Sequence, residues 1–186
     1  MIINKNYYRD QIIVDLDDII VIAYNKTLVA KIYGEQSYQL VSNEIYKLCY
    51  ANKINDLVVK FIELVQDKWG NYLLITERLF AYEKRSFSAL ERSDYIRTFR
   101  NKLFQLHEKG FVHRDLINRN KLDYIYHNFL FTDKGIRLLD VGMSVLEEQV
   151  GKEKFLSFIK QEKEDLSILE NFILNTEATE NPKKSR

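Results

Sequence analysis

The 186-residue sequence is short of cysteine, proline and glycine, with one, one and six of them. A lone cysteine, Cys49, excludes an intrachain disulfide, and with three histidines it excludes a Cys-rich zinc site. The expected compartment is a reducing one, the cytoplasm. Charge of one sign is lacking too. The 28 basic and 27 acidic side chains leave +1, with no long block of either sign, so the electrostatic footprint of a nucleic-acid binder is missing. Apolar runs such as Ile19 to Ala23 and Leu57 to Val59 fall far below the roughly 18 residues that a membrane span requires. Met1 to Asp10 has neither the apolar core nor the cleavage site of a secretory signal, so secretion is not expected. There is no internal repeat and no low-complexity linker. With 46% hydrophobic and 30% charged residues, the chain has the composition and length of about one ordinary globular domain.

What is present is ordered by period. Gln11 to Leu16, Asp18 to Tyr24 and Thr27 to Tyr33 are rich in Ile and Val and are separated by Asp17-Asp18 and Asn25-Lys26, which predicts three short antiparallel strands. From Ser37, a candidate N-cap, Leu40, Val41, Glu44, Ile45 and Leu48 follow helical spacing. This apolar stripe contains a glutamate, which is costly to bury unless it has a cationic partner. Leu57 to Val65 and Asn71 to Leu79 read as two strands joined at Gln66 to Gly70, with Gly70 supplying a positive φ. A helix is predicted from Ser93, with Ile96, Phe99, Leu103 and Leu106 on one face and Gly110 as its stop. A polar loop with His113, Arg114 and Asp115 leads to a hairpin, Phe129 to Phe131 and Ile136 to Leu139, ending at Asp140. Glu153 to Leu174 is again helical, and Thr176 to Arg186 is a polar tail that carries Pro182.

Asp115 and Asp140 flank that hairpin, so a strand pair delivers both carboxylates to one rim. Phosphoryl transfer uses such an arrangement, one carboxylate to orient the attacking hydroxyl and another to hold magnesium against the nucleotide phosphates. The surrounding residues are His113-Arg114-Asp115-Leu116, then Asn128-Phe129-Leu130-Phe131, then Leu138-Leu139-Asp140-Val141-Gly142. They resemble the catalytic loop, the metal-binding Asn strand and the Asp-Phe-Gly motif of the protein-kinase fold, with Val141 in place of Phe. Leu28-Val29-Ala30-Lys31-Ile32 resembles the family's third strand, and Glu44 is then the expected ion-pair partner of Lys31. Leu73 to Leu79 resembles the strand and hinge that hydrogen-bond adenine, with Thr76 as gatekeeper and Glu77 to Leu79 as hinge. Glu164-Asp165-Leu166 resembles the helix whose Asp anchors the catalytic loop from below. His113 and Arg114 are expected to be structural, and His107 is expected to be an ordinary helix-end cation.

The resemblance covers about residues 12 to 175. It implies an α+β bilobal fold, with a small antiparallel sheet plus one helix over 1–80, a reduced helical lobe over 81–175, and a loose tail over 176–186. It also implies ATP and magnesium as cofactors. Lys31 and Glu44 would serve the phosphates, Asp115 the acceptor hydroxyl, Asn128 and Asp140 the metal, and Glu77 and Leu79 the adenine. The family spacing His-Arg-Asp-x-x-x-x-Asn lands on Asn120, but only Asn128 precedes an apolar strand. Asn128 is therefore the first choice of ligand, with Asn118 to His127 as an insertion and Asn120 as the alternative.

Two departures stand out. No glycine precedes Gly34, so the glycine-rich loop over the phosphates is absent. Between Asp140 and Asp165 there is no proline and no Ala-Pro-Glu motif, so the groove for a peptide substrate is reduced. In this the chain resembles minimal kinases: the RIO-type enzymes, the small kinase that works with a tRNA-modification complex, and bacterial lipopolysaccharide sugar kinases. The expected acceptor is a protein Ser or Thr hydroxyl, or a sugar hydroxyl. The competing expectation is a pseudokinase that scaffolds a protein partner.

Overall fold

A computed structural model describes residues 5–16, 19–117 and 128–174 of the chain. Asp17-Asp18, the insertion expected over Asn118 to His127 with Asn120, and the polar tail lie outside the described residues.

Strands β1 (Ile12–Leu16), β2 (Ile19–Ala23) and β3 (Leu28–Tyr33) form where the sequence predicts them. Helix α1 (Tyr38–Asn52) follows, then β4 (Phe61–Gln66) and β5 (Tyr72–Glu77). The five strands make one antiparallel sheet in the order β1-β2-β3-β5-β4. Alternation along the strands divides its two faces. Ile20, Ile22, Ala30, Ile32, Leu73 and Ile75 pack together on one side, and Tyr8 covers them from a 3-10 turn, Lys5–Gln11. Lys31, paired in register with Val21 and Leu74, is on the opposite face. Gly70 has φ 85° in the β4–β5 turn, the left-handed backbone foreseen there.

The second lobe is built on α2 (Ala89–Glu108) and α4 (Lys152–Leu174). Between them lie β6 (Phe111–Val112), the hairpin β7 (Phe129–Thr132) and β8 (Gly135–Leu138), β9 (Val145–Leu146) and the one-turn α3 (Glu147–Val150). Helix α2 starts before the predicted Ser93, because Ser88 and Glu91 form a reciprocal capping box: Ser88 Oγ accepts from Glu91 N, and Ser88 N donates to Glu91 Oε2. It ends where predicted, at Gly110 with φ 81°. Leu57 to Val59 do not join β4. They bridge instead to β8, with Leu138 N donating to Leu57 O and Val59 N to Leu138 O, both at 2.8 Å. One continuous core runs from Val41 and Leu48 of α1 through Phe99, Leu103 and Leu106 of α2 to Leu166 and Leu169 of α4. Leu40, counted on the apolar stripe, is 66% exposed, and Lys47 takes a buried place on α1 instead.

Candidate active site

The inward face of the sheet and the inner stripe of α1 bring Lys31 and Glu44 together. Lys31 Nζ lies 3.1 Å from both carboxylate oxygens of Glu44 and 2.9 Å from Asp140 Oδ2. The buried glutamate thus has the cation that its position requires, and it also accepts a hydrogen bond from the Tyr33 hydroxyl. Burial disfavours the Lys31 ammonium, but Asp140, Glu44 and the hydrogen bond to Asp140 outweigh it, so its pKa rises. For Asp140 burial alone would raise the pKa. Lys31 and the Gly142 amide, which donates to Oδ1 at 2.6 Å, reverse this and hold the carboxyl below its ordinary value.

Asp115 and Asn128, 13 positions apart in sequence, meet in space. Asn128 Nδ2 donates to Asp115 Oδ2 at 2.6 Å and to Asp115 O at 3.0 Å. Leu139 N donates to Asn128 O at 2.9 Å, so the hairpin places Asn128 opposite the residue that precedes Asp140. Both hairpin ends therefore reach the same rim. Buried Leu116 and Ile117 anchor the loop after Asp115.

Below the loop Glu162 is an anchor, on the same helix as the buried Asp165 that the sequence pattern suggests for this contact. Glu162 is 1% exposed; it accepts a hydrogen bond from Arg114 N and lies 2.6 Å from His107 Nε2. His107 is consequently a buried partner in this network and not an ordinary helix-end cation. Arg114 has φ 71°, a left-handed backbone that is costly for a non-glycine residue. Its amide is held by Glu162, and its guanidinium by the Phe158 ring at 4.0 Å and by Met143 O at 3.3 Å. His113 is fully buried, and neither ring nitrogen has a hydrogen-bond partner among the described residues.

At the hinge, the Glu77 carboxylate is already engaged. It accepts from Arg137 Nη2 and, at 2.8 Å, from Lys60 N. The Glu77 amide is engaged as well, donating to Lys60 O at 3.0 Å, and the Leu79 side chain packs against the lower core. Glu162, Lys47 and Arg137 were not singled out from the sequence. Glu162 was findable, since it interrupts the apolar stripe of α4 as Glu44 interrupts that of α1.

No protein-family model matches the sequence, and no curated protein matches it. Solved structures do. The Legionella pneumophila Lpg2603 kinase bound to IP6 superposes with TM-score 0.61 at 16% identity, covering 94% of this chain and 63% of that one. The chain has the protein-kinase-like fold. The Cydia pomonella granulovirus kinase PK-1 gives TM-score 0.51 at 19% identity over 71% of this chain and 52% of that one. This chain thus spans about half to two-thirds of the length of the two kinases. Among the described residues, no helix is long and apolar enough to cross a membrane, and no group of three His, Cys, Asp or Glu side chains could cage a metal.

Two oxygen ligands without a cage suit magnesium, which keeps waters and binds largely through substrate phosphates. The Asp140 carboxylate and the Asn128 amide oxygen, whose Nδ2 is occupied by Asp115, could hold such an ion.

Proposed function

We propose that the chain is an ATP- and magnesium-dependent phosphotransferase of minimal size that transfers the γ-phosphate to a hydroxyl, with protein serine or threonine as the acceptor. The observation that carries this reading is the Lys31 ammonium held between Glu44 and Asp140, on the same rim as the Asp115–Asn128 pair. Glu44 orients Lys31 toward the α and β phosphates. The Glu77 carbonyl and the Leu79 backbone would face adenine, and Asn128 and Asp140 would hold magnesium. Magnesium supplies charge neutralisation at the β and γ phosphates. Asp115 accepts the hydrogen bond of the acceptor hydroxyl and takes its proton. The new O–P bond forms as the bond between the γ-phosphorus and the bridging oxygen breaks, and ADP leaves with that oxygen. A cytoplasmic location is part of this reading, in keeping with the free thiol of Cys49.

One feature favours a second reading, a scaffold that binds a protein partner. No glycine precedes Gly34, so the glycine-rich loop whose amides surround phosphate is absent.

Thermal melting with and without magnesium and ATP, on the wild type and Asp140→Ala, separates the two readings. Binding to the folded state stabilises it by about 2.7 kcal/mol at a hundredfold excess over Kd. A magnesium-dependent rise, lost in Asp140→Ala, together with label transfer from γ-labelled ATP to a protein acceptor, supports the phosphotransferase. A rise without transfer to protein, but with transfer to a sugar, keeps the reaction and changes the acceptor. No rise at millimolar ATP supports the scaffold.

A further inference from the structure

Helix α1 delivers two charged side chains to the site. Glu44 goes to Lys31; three residues on, Lys47 goes elsewhere. Lys47 is 5% exposed, and its Nζ donates to Gly142 O at 2.9 Å. An ammonium is costly to bury for one neutral acceptor, and burial does lower its pKa. Glu44 and Asp140 oppose that shift, while Arg114 adds to it. These are the charged groups that face it.

Gly142 in turn is fixed on Asp140. Its amide donates to Asp140 Oδ1 at 2.6 Å, and a Cβ on it would lie 3.0 Å from that oxygen. Asp140 Oδ2 is then left for Lys31 at 2.9 Å. A chain of contacts runs from Lys47 through Gly142 to the carboxylate. Val141 is fully buried but is a small apolar side chain, with no polar means of fixing the next residue's orientation. The same helix is tied to the following segment on its outer side, where Tyr46 OH donates to Glu148 Oε1 at 2.6 Å and Gln149 Nε2 lies 3.5 Å from Asn43 Oδ1.

We propose that Lys47 is a positioning residue: by holding the Gly142 carbonyl it sets the rotation of Gly142 and, through its amide, the orientation of Asp140 toward magnesium. This rests on the phosphotransferase reading. Groups that orient a metal ligand commonly change metal affinity about 10- to 100-fold when removed.

The test compares Lys47→Met, which keeps the stem and removes the cation, with Lys47→Arg, which keeps the charge. Nucleotide affinity is measured with magnesium and with a chelator, and amide hydrogen exchange of Gly142 to Val150 is measured without nucleotide. The expected results for Lys47→Met are magnesium-dependent affinity weaker by about tenfold, chelator affinity within about twofold, and faster exchange of that segment. Lys47→Arg should recover most of the magnesium-dependent affinity. The proposal is overturned by unchanged exchange in Lys47→Met, by equal loss with and without magnesium, by failure of Lys47→Arg to do better, or by failure of Lys47→Met to fold, which would make the lysine a plain core residue. A wild type that binds no nucleotide would sink the phosphotransferase reading separately. The exchange measurement would still decide whether Lys47 orders the segment.

Discussion

Arg137, on the strand leading to Asp140, is bonded to the carboxylate of Glu77 at the end of β5, so the β7–β8 hairpin and the end of β5 share one ion pair. Arg137 Nη2 also donates to Val58 O at 3.2 Å. The Arg137 side chain is 9% exposed and that of Glu77 is 29% exposed.

Removing one partner of an enclosed pair leaves a charge without compensation. Arg137→Met is expected to cost about 2 to 3 kcal/mol in urea unfolding, at the low end for such pairs because Glu77 is partly solvated. Arg137→Met with Glu77→Leu should recover at least half of that. A single variant within about 0.5 kcal/mol of wild type would mean that the pair contributes little.

Glu162 holds the segment around Arg114 from α4 by accepting from Arg114 N, and its other oxygen faces His107. Glu162→Gln keeps a carbonyl oxygen for Arg114 N and an amide that can donate to a neutral His107. Glu162→Ala keeps neither. The alanine variant should therefore lose about 3 kcal/mol and release the strained Arg114 backbone, while the glutamine variant loses about 1 kcal/mol or less. Denaturant unfolding of both gives the comparison, and equal losses would show that the acceptor oxygen is not what matters.

Asp140 supplies a pH dependence whose sign is fixed by its lowered pKa. A carboxyl with a depressed folded pKa contributes stability that is present above its unfolded value, about 3.9, and lost as pH falls through the folded value. The wild type should therefore lose more stability on acidification below about pH 4 than Asp140→Asn does. The gap between the two should be widest at neutral pH and narrow in acid. Parallel stability curves from pH 7 to pH 2 would contradict the assignment.

The sequence carried the order of elements and the central constellation for a physical reason. Glu44 sits on an apolar stripe, Lys31 sits mid-strand, and Asp115 and Asp140 bracket an apolar hairpin. Period and charge together place such residues, and the fold brings Lys31, Glu44 and Asp140 within hydrogen-bond distance. What local pattern did not reveal depends on contacts distant in sequence. The short β6–β9 pair and the bridge from Leu57–Val59 to β8 have no periodicity of their own. The cover that Tyr8 gives the sheet depends on a hydrogen bond from its hydroxyl to Asp67 Oδ2 and an edge-on contact to Trp69, both distant in sequence. The start of α2 was legible, since Ser88-x-x-Glu91 is a capping-box pattern, but the later Ser93-Asp94 pair resembles a start equally well.

Asp115 tests the division of labour within the site. Its Oδ2 accepts from Asn128 Nδ2 at 2.6 Å, and an asparagine at this position can still present an oxygen to that donor. Asp115→Asn should therefore fold and bind magnesium and nucleotide within about threefold of wild type, since an acceptor role in the ground state is retained. It can no longer take the acceptor's proton, so kcat should fall by about 100-fold or more, with KM for ATP little changed. Asp140→Asn should show the opposite split, with weaker magnesium-dependent binding as its leading effect. Steady-state kinetics over a range of magnesium concentrations separate the two. If Asp115→Asn keeps the wild-type kcat, Asp115 is not the group that receives the proton, and the reaction would have to proceed with solvent taking it.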